Sequence, residues 1–227
     1  MAAALILLSG GIDSSTLLHY VKRTLAIDTL YALSFHYGQR HARELDAAAI
    51  QAKAVGVKEH RVFDVSAFGA LTAAGNVLTN PQVDVPDLDT IDPADRVQPP
   101  TYVPNRNMVL LSLAAAYAET CKVSDIYYGA QAQDEYGYWD CTTDFLVRIN
   151  HLLALNRKQA VTVHAPFVNK RKTEVVQLGH ALGVNYADTW TCYRGGDTPC
   201  SSCPSCVERA MAFREAALSD PLVSVIA

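Results

Sequence analysis

The chain has no surplus of positive charge. Its 19 Lys and Arg stand against 23 Asp and Glu, for a formal net charge of −4. That balance argues against a protein held to nucleic acid by bulk electrostatics. No apolar run approaches the ~20 residues that span a bilayer, so no membrane partner is expected. The opening residues 1–8 are apolar but carry no basic flank and run at once into Ser9-Gly10-Gly11. They are expected to form a first strand rather than an export leader. Internal repeats and low-complexity stretches are absent. So are G-x-x-x-x-G-K-S/T and G-x-G-x-x-G, which removes the Walker-type and dinucleotide-binding readings. The six cysteines are not spread as a disulfide framework, since four fall between 192 and 206. Without an export signal, that clustering points to metal. What remains is a cytoplasmic α/β protein with 50% hydrophobic residues in its 227, ample for a core.

The first half alternates two periods. Residues 3–8 read as a strand buried on both faces, and 29–36 and 59–65 as its successors. Between them, Leu17, Leu18, Tyr20, Val21 and Leu25 recur at helical spacing after the N-cap types Asp13 to Thr16, and 42–55 reads as a second helix. This order predicts a doubly wound parallel sheet. From 66 to 104 the pattern breaks: six of the ten prolines lie between 81 and 104, with Asp84, Asp87, Asp89, Asp92 and Asp95. A solvated acidic loop or a lid is expected there. Helices follow at 107–121, from the end of the 131–140 loop to about 156, and at 172–182, with strands at 125–130 and 161–165. A cysteine-bearing loop then leads into a helix at 207–218. The chain is thus expected to divide into an α/β domain, 1–188, and a cysteine-bearing segment with its helix, 189–227.

Ser9-Gly10-Gly11-Ile12-Asp13-Ser14 falls at the first strand-to-helix turn. Glycines there let backbone N–H groups approach an anion, and the helix from about Ser14 adds unpaired amides and a positive dipole end. The hydroxyls of Ser9, Ser14 and Ser15 can add bonds to phosphate. Asp13 repels phosphate unless a cation lies between them, which marks it as a Mg²⁺ ligand. The hexapeptide matches the S-G-G-x-D-S signature of the PP-loop ATP pyrophosphatases, which transfer AMP to a substrate oxygen and release pyrophosphate.

Cys192, Cys200, Cys203 and Cys206 form C-x7-C-x2-C-x2-C. Four thiolates leave no open position, so a zinc ion there is structural; an iron–sulfur cluster and disulfides are the alternatives. Cys121 reads as a small buried hydrophobe and Cys141 as a cap for the helix after it.

Taken together, these motifs resemble the QueC, or 7-cyano-7-deazaguanine synthase, family over nearly the whole chain. The resemblance rests on Ser9 to Ser14, on Tyr37-Gly38-Gln39-Arg40-His41 with Glu44, and on Val103-Pro104-Asn105-Arg106-Asn107. It continues through Gly129, Gly137-Tyr138, Asp140-Cys141, Pro166 with Lys172 and Glu174, and Thr191-Cys192-Tyr193 with the last three cysteines. It implies a Rossmann-like PP-loop fold, zinc on the four cysteines, and a homodimer. The implied substrates are 7-carboxy-7-deazaguanine, ATP with Mg²⁺, and ammonia. ATP activates the carboxylate, ammonia attacks, and the resulting amide is activated again and dehydrated to the nitrile.

On this resemblance Ser9, Gly10, Gly11, Ile12, Ser14 and Ser15 hold the pyrophosphate part of ATP and Asp13 positions Mg²⁺. Arg106 and Lys172 neutralise charge on the phosphates or the acyl-adenylate. Tyr37 and Arg40 line the nucleotide or base pocket, while His41 and Glu44 fit equally as helix-start residues. Tyr136, Tyr138 and Trp139 offer flat faces beside Asp134 and Glu135, and Asp140 can bond the N1–H and amino edge of a guanine-like base. The family loop reads S-G-Y-P-D-C-R, whereas this chain has Tyr136, Trp139 and Thr142 at its Ser, Pro and Arg positions. Arg171 or Arg148 is expected to replace the missing cation. The altered loop also leaves open a QueC-like enzyme that attaches the activated base to an amine on a protein or nucleic acid. A binding module without chemistry is a further alternative. Nucleic-acid binding through the cysteines finds only Arg194 and Arg209 nearby.

Overall fold

The computed structural model describes residues 2–40, 43–92, 94–95, 98–132 and 137–224. His41, Asp134, Glu135 and Tyr136, named above, lie outside them. Five parallel strands form one sheet in the order β3-β2-β1-β4-β5: β1 Ala3–Leu7, β2 Thr29–His36, β3 Glu59–Asp64, β4 Asp125–Tyr127 and β5 Thr162–His164. The doubly wound expectation holds, and β1 lies in the middle because both its faces are apolar. Alternate residues of β1 serve opposite layers. Leu5 joins the layer built by α4 (Arg106–Cys121) and α5 (Thr143–Leu153), with Leu111, Ala114, Ala118, Phe145 and Ile149. Ala4 and Ile6 face the opposite layer, where α1 (Ile12–Arg23), α2 (Arg43–Val55) and α6 (Lys172–Ala181) contribute Leu17, Leu18, Val21, Ala48, Ala52 and Val175. Each fully buried Leu or Ile contributes about 2 kcal/mol.

The strand order reverses at β1. Loops leaving β1 and β4 therefore diverge to opposite faces and leave a crevice beyond their carboxyl ends. Gly10 closes one side of it. Its φ is +85°, and a Cβ placed there would stand 2.1 Å from the Glu44 carbonyl oxygen and 2.6 Å from Ala48 N. Only glycine lets α2 come this close.

The acidic residues Asp84, Asp89, Asp92 and Asp95 of the 66–104 segment are exposed, as expected of a solvated loop, but the segment is also anchored. It carries α3 (Ser66–Thr72) and a 3₁₀ turn at Leu88–Thr90, and then wraps the cysteine segment. Val77, Leu78, Val85 and Val103 share a buried cluster with Trp190, Cys192, Cys203 and Cys206. Asp87 receives the Arg194 guanidinium at 2.9 Å, and Leu88 N donates to the Ser202 carbonyl at 3.1 Å. The segment reads as polar because its apolar residues are sparse, yet those few face the cysteines.

Two helix starts differ from the sequence expectation because of their caps. The last long helix, α7, spans Pro204–Glu215 rather than 207–218, because Pro204 occupies its first turn behind Cys203. Cys206 is consequently helical. The α5 cap is Thr142, whose hydroxyl accepts from Phe145 N at 3.1 Å, and not Cys141. Cys121 is half-buried at the end of α4. A short α8, Pro221–Ser224, follows α7. Among the described residues, no helix is long and apolar enough to cross a membrane.

Arg209 on α7 anchors the C-terminal segment. Its guanidinium is buried and forks onto both Asp220 oxygens, at 2.6 and 2.7 Å, while also donating to Thr189 Oγ1 and the Tyr186 carbonyl. It is committed inside the fold and is not part of a nucleic-acid footprint. Asp220→Ala strands that buried charge, so it should lower unfolding free energy by about 3 kcal/mol, read from urea denaturation.

Candidate functional site

A cavity of about 280 Å³ fills the crevice. Its floor is the end of β1 and the loop after it. Helix α1 begins at Ile12, with Gly11 as its cap and no side-chain capping bond, two residues earlier than its sequence suggests. The first intrahelical bond is Ser15 N to the Gly11 carbonyl at 3.1 Å, which leaves the amides of Ile12, Asp13 and Ser14 with no acceptor inside the helix. Those amides and the dipole behind them make an anion seat. Ser9 and Ser14 set its shape: Ser9 N donates to Ser14 Oγ at 3.1 Å, and their hydroxyls meet at 2.9 Å. Gly129, just after β4, borders the same seat. A Cβ there would lie 3.2 Å from Ser14 N, so the residue must stay small for the two turns to abut. From the other side Trp190 N donates to the Gly10 carbonyl at 3.0 Å and clasps the loop.

Not every loop residue reaches the cavity with its side chain. Ile12 is buried against Val176 and Phe213, so only its backbone is available to a ligand. Gly10 faces α2. Ser15 is fully buried, and its hydroxyl has no hydrogen-bond partner.

Asp13 and Lys172 meet at the mouth of the seat, 3.3 Å apart. Lys172 stands at the first position of α6, and its ammonium is shared with Glu208 of α7 at 3.4 Å. Burial pushes the Asp13 carboxyl above its ordinary range, while the Lys172 ammonium partly pulls it back. Its Oδ1 is buried with no hydrogen-bond partner. Glu208 was not singled out from the sequence. It lies two residues past a cysteine, and only the docking of α7 on α6 brings it to Lys172.

The far end of the cavity is aromatic. Arg106, at the first position of α4, donates to Tyr37 Oη at 3.4 Å, with its guanidinium carbon 5.8 Å from the ring centre. Tyr138 and Tyr193 complete that wall. Burial raises the pKa of Tyr37 and, more strongly, of Tyr193, so both phenols stay neutral at physiological pH. Tyr138 is tied to Thr101 Oγ1 at 2.6 Å.

Three of the expected substrate contacts lie elsewhere. Arg40 does not line the cavity; its guanidinium donates to the carbonyls of Asn80 (2.6 Å) and Val83 and holds the wrapping segment. Asp140 is buried behind the wall and accepts from Asn107 N at 3.0 Å. It caps α4, whose own cap residue Asn105 sits at φ 56° with no side-chain bond to the helix. Trp139 is half-exposed and donates to Tyr102 Oη at 2.7 Å. Glu44, in the first turn of α2, does border the cavity. Arg148 and Arg171 pair with Asp144 and Glu174 on the surface, outside the cavity.

The four cysteine sulfurs of 192, 200, 203 and 206 lie within 4.8 Å of one another. Cys200 and Cys206 sulfurs are 3.9 Å apart, the spacing of two ligands on one tetrahedral ion and nearly twice a disulfide length. The set fits a metal.

Lys172 holds two carboxylates together, so Lys172→Met should cost about 1–2 kcal/mol of stability. Adding Glu208→Gln should restore part of that loss without restoring turnover, a non-additivity that urea denaturation and steady-state assays resolve together.

A family model described as queuosine biosynthesis protein QueC matches residues 3–217. The 7-cyano-7-deazaguanine synthase of Trichodesmium erythraeum is 43% identical over 227 residues, covering 97% of this chain and 99% of that one. The 7-cyano-7-deazaguanine synthase of Alteromonas mediterranea is 40% identical over 217 residues, covering 96% of each. Among solved structures, NMN synthetase from Francisella tularensis aligns with a TM-score of 0.50 at 15% identity, over 95% of this chain and 77% of that one. The U34-tRNA thiolase NcsA from Methanococcus maripaludis aligns at 0.52 and 16%, over 94% of this chain and 64% of that one. At such identities these two speak for the shared fold only. The matched span, the relatives' identity and the loop at the end of β1 agree: the chain belongs to the queuosine biosynthesis protein QueC family.

Proposed function

We propose that this protein is a 7-cyano-7-deazaguanine synthase, an ATP-dependent enzyme that converts 7-carboxy-7-deazaguanine and ammonia to the nitrile. The observation that carries the reading is the meeting, in one cavity, of the α1 amides, the buried Asp13 oxygen and Lys172. The names of the relatives favour the synthase over transfer of the base to a macromolecular amine.

The chemistry needs two activations. A carboxylate is a poor electrophile because oxide is its leaving group. Attack of a carboxylate oxygen on the α-phosphorus of ATP gives an acyl-adenylate and releases pyrophosphate; ammonia then adds, and AMP leaves with the carboxyl oxygen it captured. The amide oxygen is adenylated in turn, and loss of AMP and a proton leaves C≡N. The backbone amides of 12–14 with the Ser9 and Ser14 hydroxyls hold the pyrophosphate part, and Ser15 packs beneath them. Lys172 follows charge onto the leaving pyrophosphate, an electrostatic contribution of several kcal/mol when preorganised. The rings of Tyr37 and Tyr138 flank a planar base, and Arg106 stands at that aromatic end of the cavity rather than at the phosphate end.

Asp13 would hold the Mg²⁺ that accompanies ATP, an ion that neutralises phosphate charge. Cys192, Cys200, Cys203 and Cys206 would hold zinc, which stabilises the fold of the tail rather than acting on substrate. We extend the reading to a cytoplasmic homodimer; the exposure of Val62 and Phe63 on the edge strand β3 is compatible with it.

The purified protein with ATP, the acid and ammonia should release two AMP per nitrile formed, weighed by mass spectrometry; no nitrile from zinc-loaded protein overturns the reading. Asp13→Asn should lower kcat/KM by about 10³-fold, yet unfold at no lower urea concentration than the parent, because burial already disfavours its charge. Elemental analysis should give one zinc per chain, and its removal by chelator should lower Tm by several degrees.

A further inference from the structure

We propose that Arg106 is the residue that recognises the free carboxylate of the substrate, so that it governs the first, acid-consuming half of the reaction far more than the second. This rests on the function proposed above and adds a division of labour within the same cavity.

The argument is one of charge. The cavity is bordered by two cations, Arg106 and Lys172, and three carboxylates, Asp13, Glu44 and Glu208. An anionic substrate entering a pocket that already holds carboxylates needs a cation facing it to offset their repulsion. Lys172 is already engaged, 3.3 Å from Asp13 and 3.4 Å from Glu208, at the phosphate end. Among the described residues, no carboxylate comes within ion-pair distance of Arg106; its cavity-side neighbour is the neutral phenol of Tyr37 at 3.4 Å. Asp140, the acid behind the wall, accepts from the Asn107 amide at 3.0 Å and attracts Arg106 only through space, without an ion pair.

Geometry favours the same assignment. Arg106 sits at the first position of a 16-residue helix, α4, whose dipole adds positive potential at that point. The Tyr37 face 5.8 Å away steadies the planar guanidinium. A guanidinium presents parallel donors that match a carboxylate in two-pronged fashion, which an ammonium does not. The other arginines considered for this role, Arg148 and Arg171, are paired on the surface away from the cavity. The chemistry then separates two substrates of one site. The acid carries a full negative charge to pair with Arg106. The amide that feeds the second activation is neutral and offers only a carbonyl oxygen, whose bond to Arg106 is weaker and replaceable by water.

The experiment supplies the acid with ammonia, and separately the amide, to the parent enzyme, Arg106→Gln and Arg106→Lys, and follows AMP release and product mass. Arg106→Gln should raise KM for the acid about 100-fold, and KM for the amide and for ATP by less than about 5-fold. Arg106→Lys should recover about tenfold of the loss on the acid. Turnover of the amide by Arg106→Gln also shows that the variant is folded. Equal losses on acid and amide, or a rise confined to KM for ATP, overturn this assignment while leaving the synthase reading intact. A parent enzyme that turns over neither compound removes the synthase reading and the assignment with it.

Discussion

Three backbone amides at the start of α1 have no partner inside the helix, and the rest of the structure arranges itself around keeping them so. A helix N-terminus ordinarily acquires a capping side chain, worth about 1 kcal/mol. Here Gly11 supplies none, and Ser9 and Ser14 bond to each other across the turn. The seat is held from outside. Gly10 lets α2 approach from one side, Gly129 lets the β4 turn approach from another, and the Trp190 amide clasps the loop from the C-terminal segment. A fold that invests glycines and a long-range bond in leaving donors unpaired is organised for an anion rather than for stability alone.

The cysteine segment belongs to that organisation. Its sulfurs gather 66–104 and the start of α7 into one buried cluster, and α7 then lies along α6 so that Glu208 reaches Lys172. The four-cysteine cluster and Lys172 are thus linked through one helix, α7, which carries Cys206 and Glu208. A lysine held between two carboxylates is fixed in place and its charge is balanced; incoming phosphate must compete for it. That competition suits a group meant to follow charge as it moves from ATP to pyrophosphate.

Much of this was legible in the sequence, for reasons that differ by element. The buried strand 3–8 and the helix after it are written in local periodicity, so the sheet and the turn that leads into α1 could be placed from residue types alone. The cysteine spacing is likewise local. What escaped was set by distant packing. Arg40 and Asp140 have the chemistry of ligand-binding residues, yet one ties down the wrapping segment and the other caps α4 from a loop 33 residues away. Glu208 carries no local signal at all. The 66–104 stretch reads as solvent-exposed because its prolines and aspartates outnumber the four aliphatic residues that face the cysteines. Each of these concerns a residue whose partner is remote in sequence.

The most direct test of the central claim is to watch the amides themselves. In ¹⁵N-labelled protein titrated with pyrophosphate and Mg²⁺, the account predicts that the N–H resonances of Ile12, Asp13 and Ser14 shift downfield first and furthest, with Gly129 following. Saturable binding that leaves those three resonances in place and moves others would contradict it.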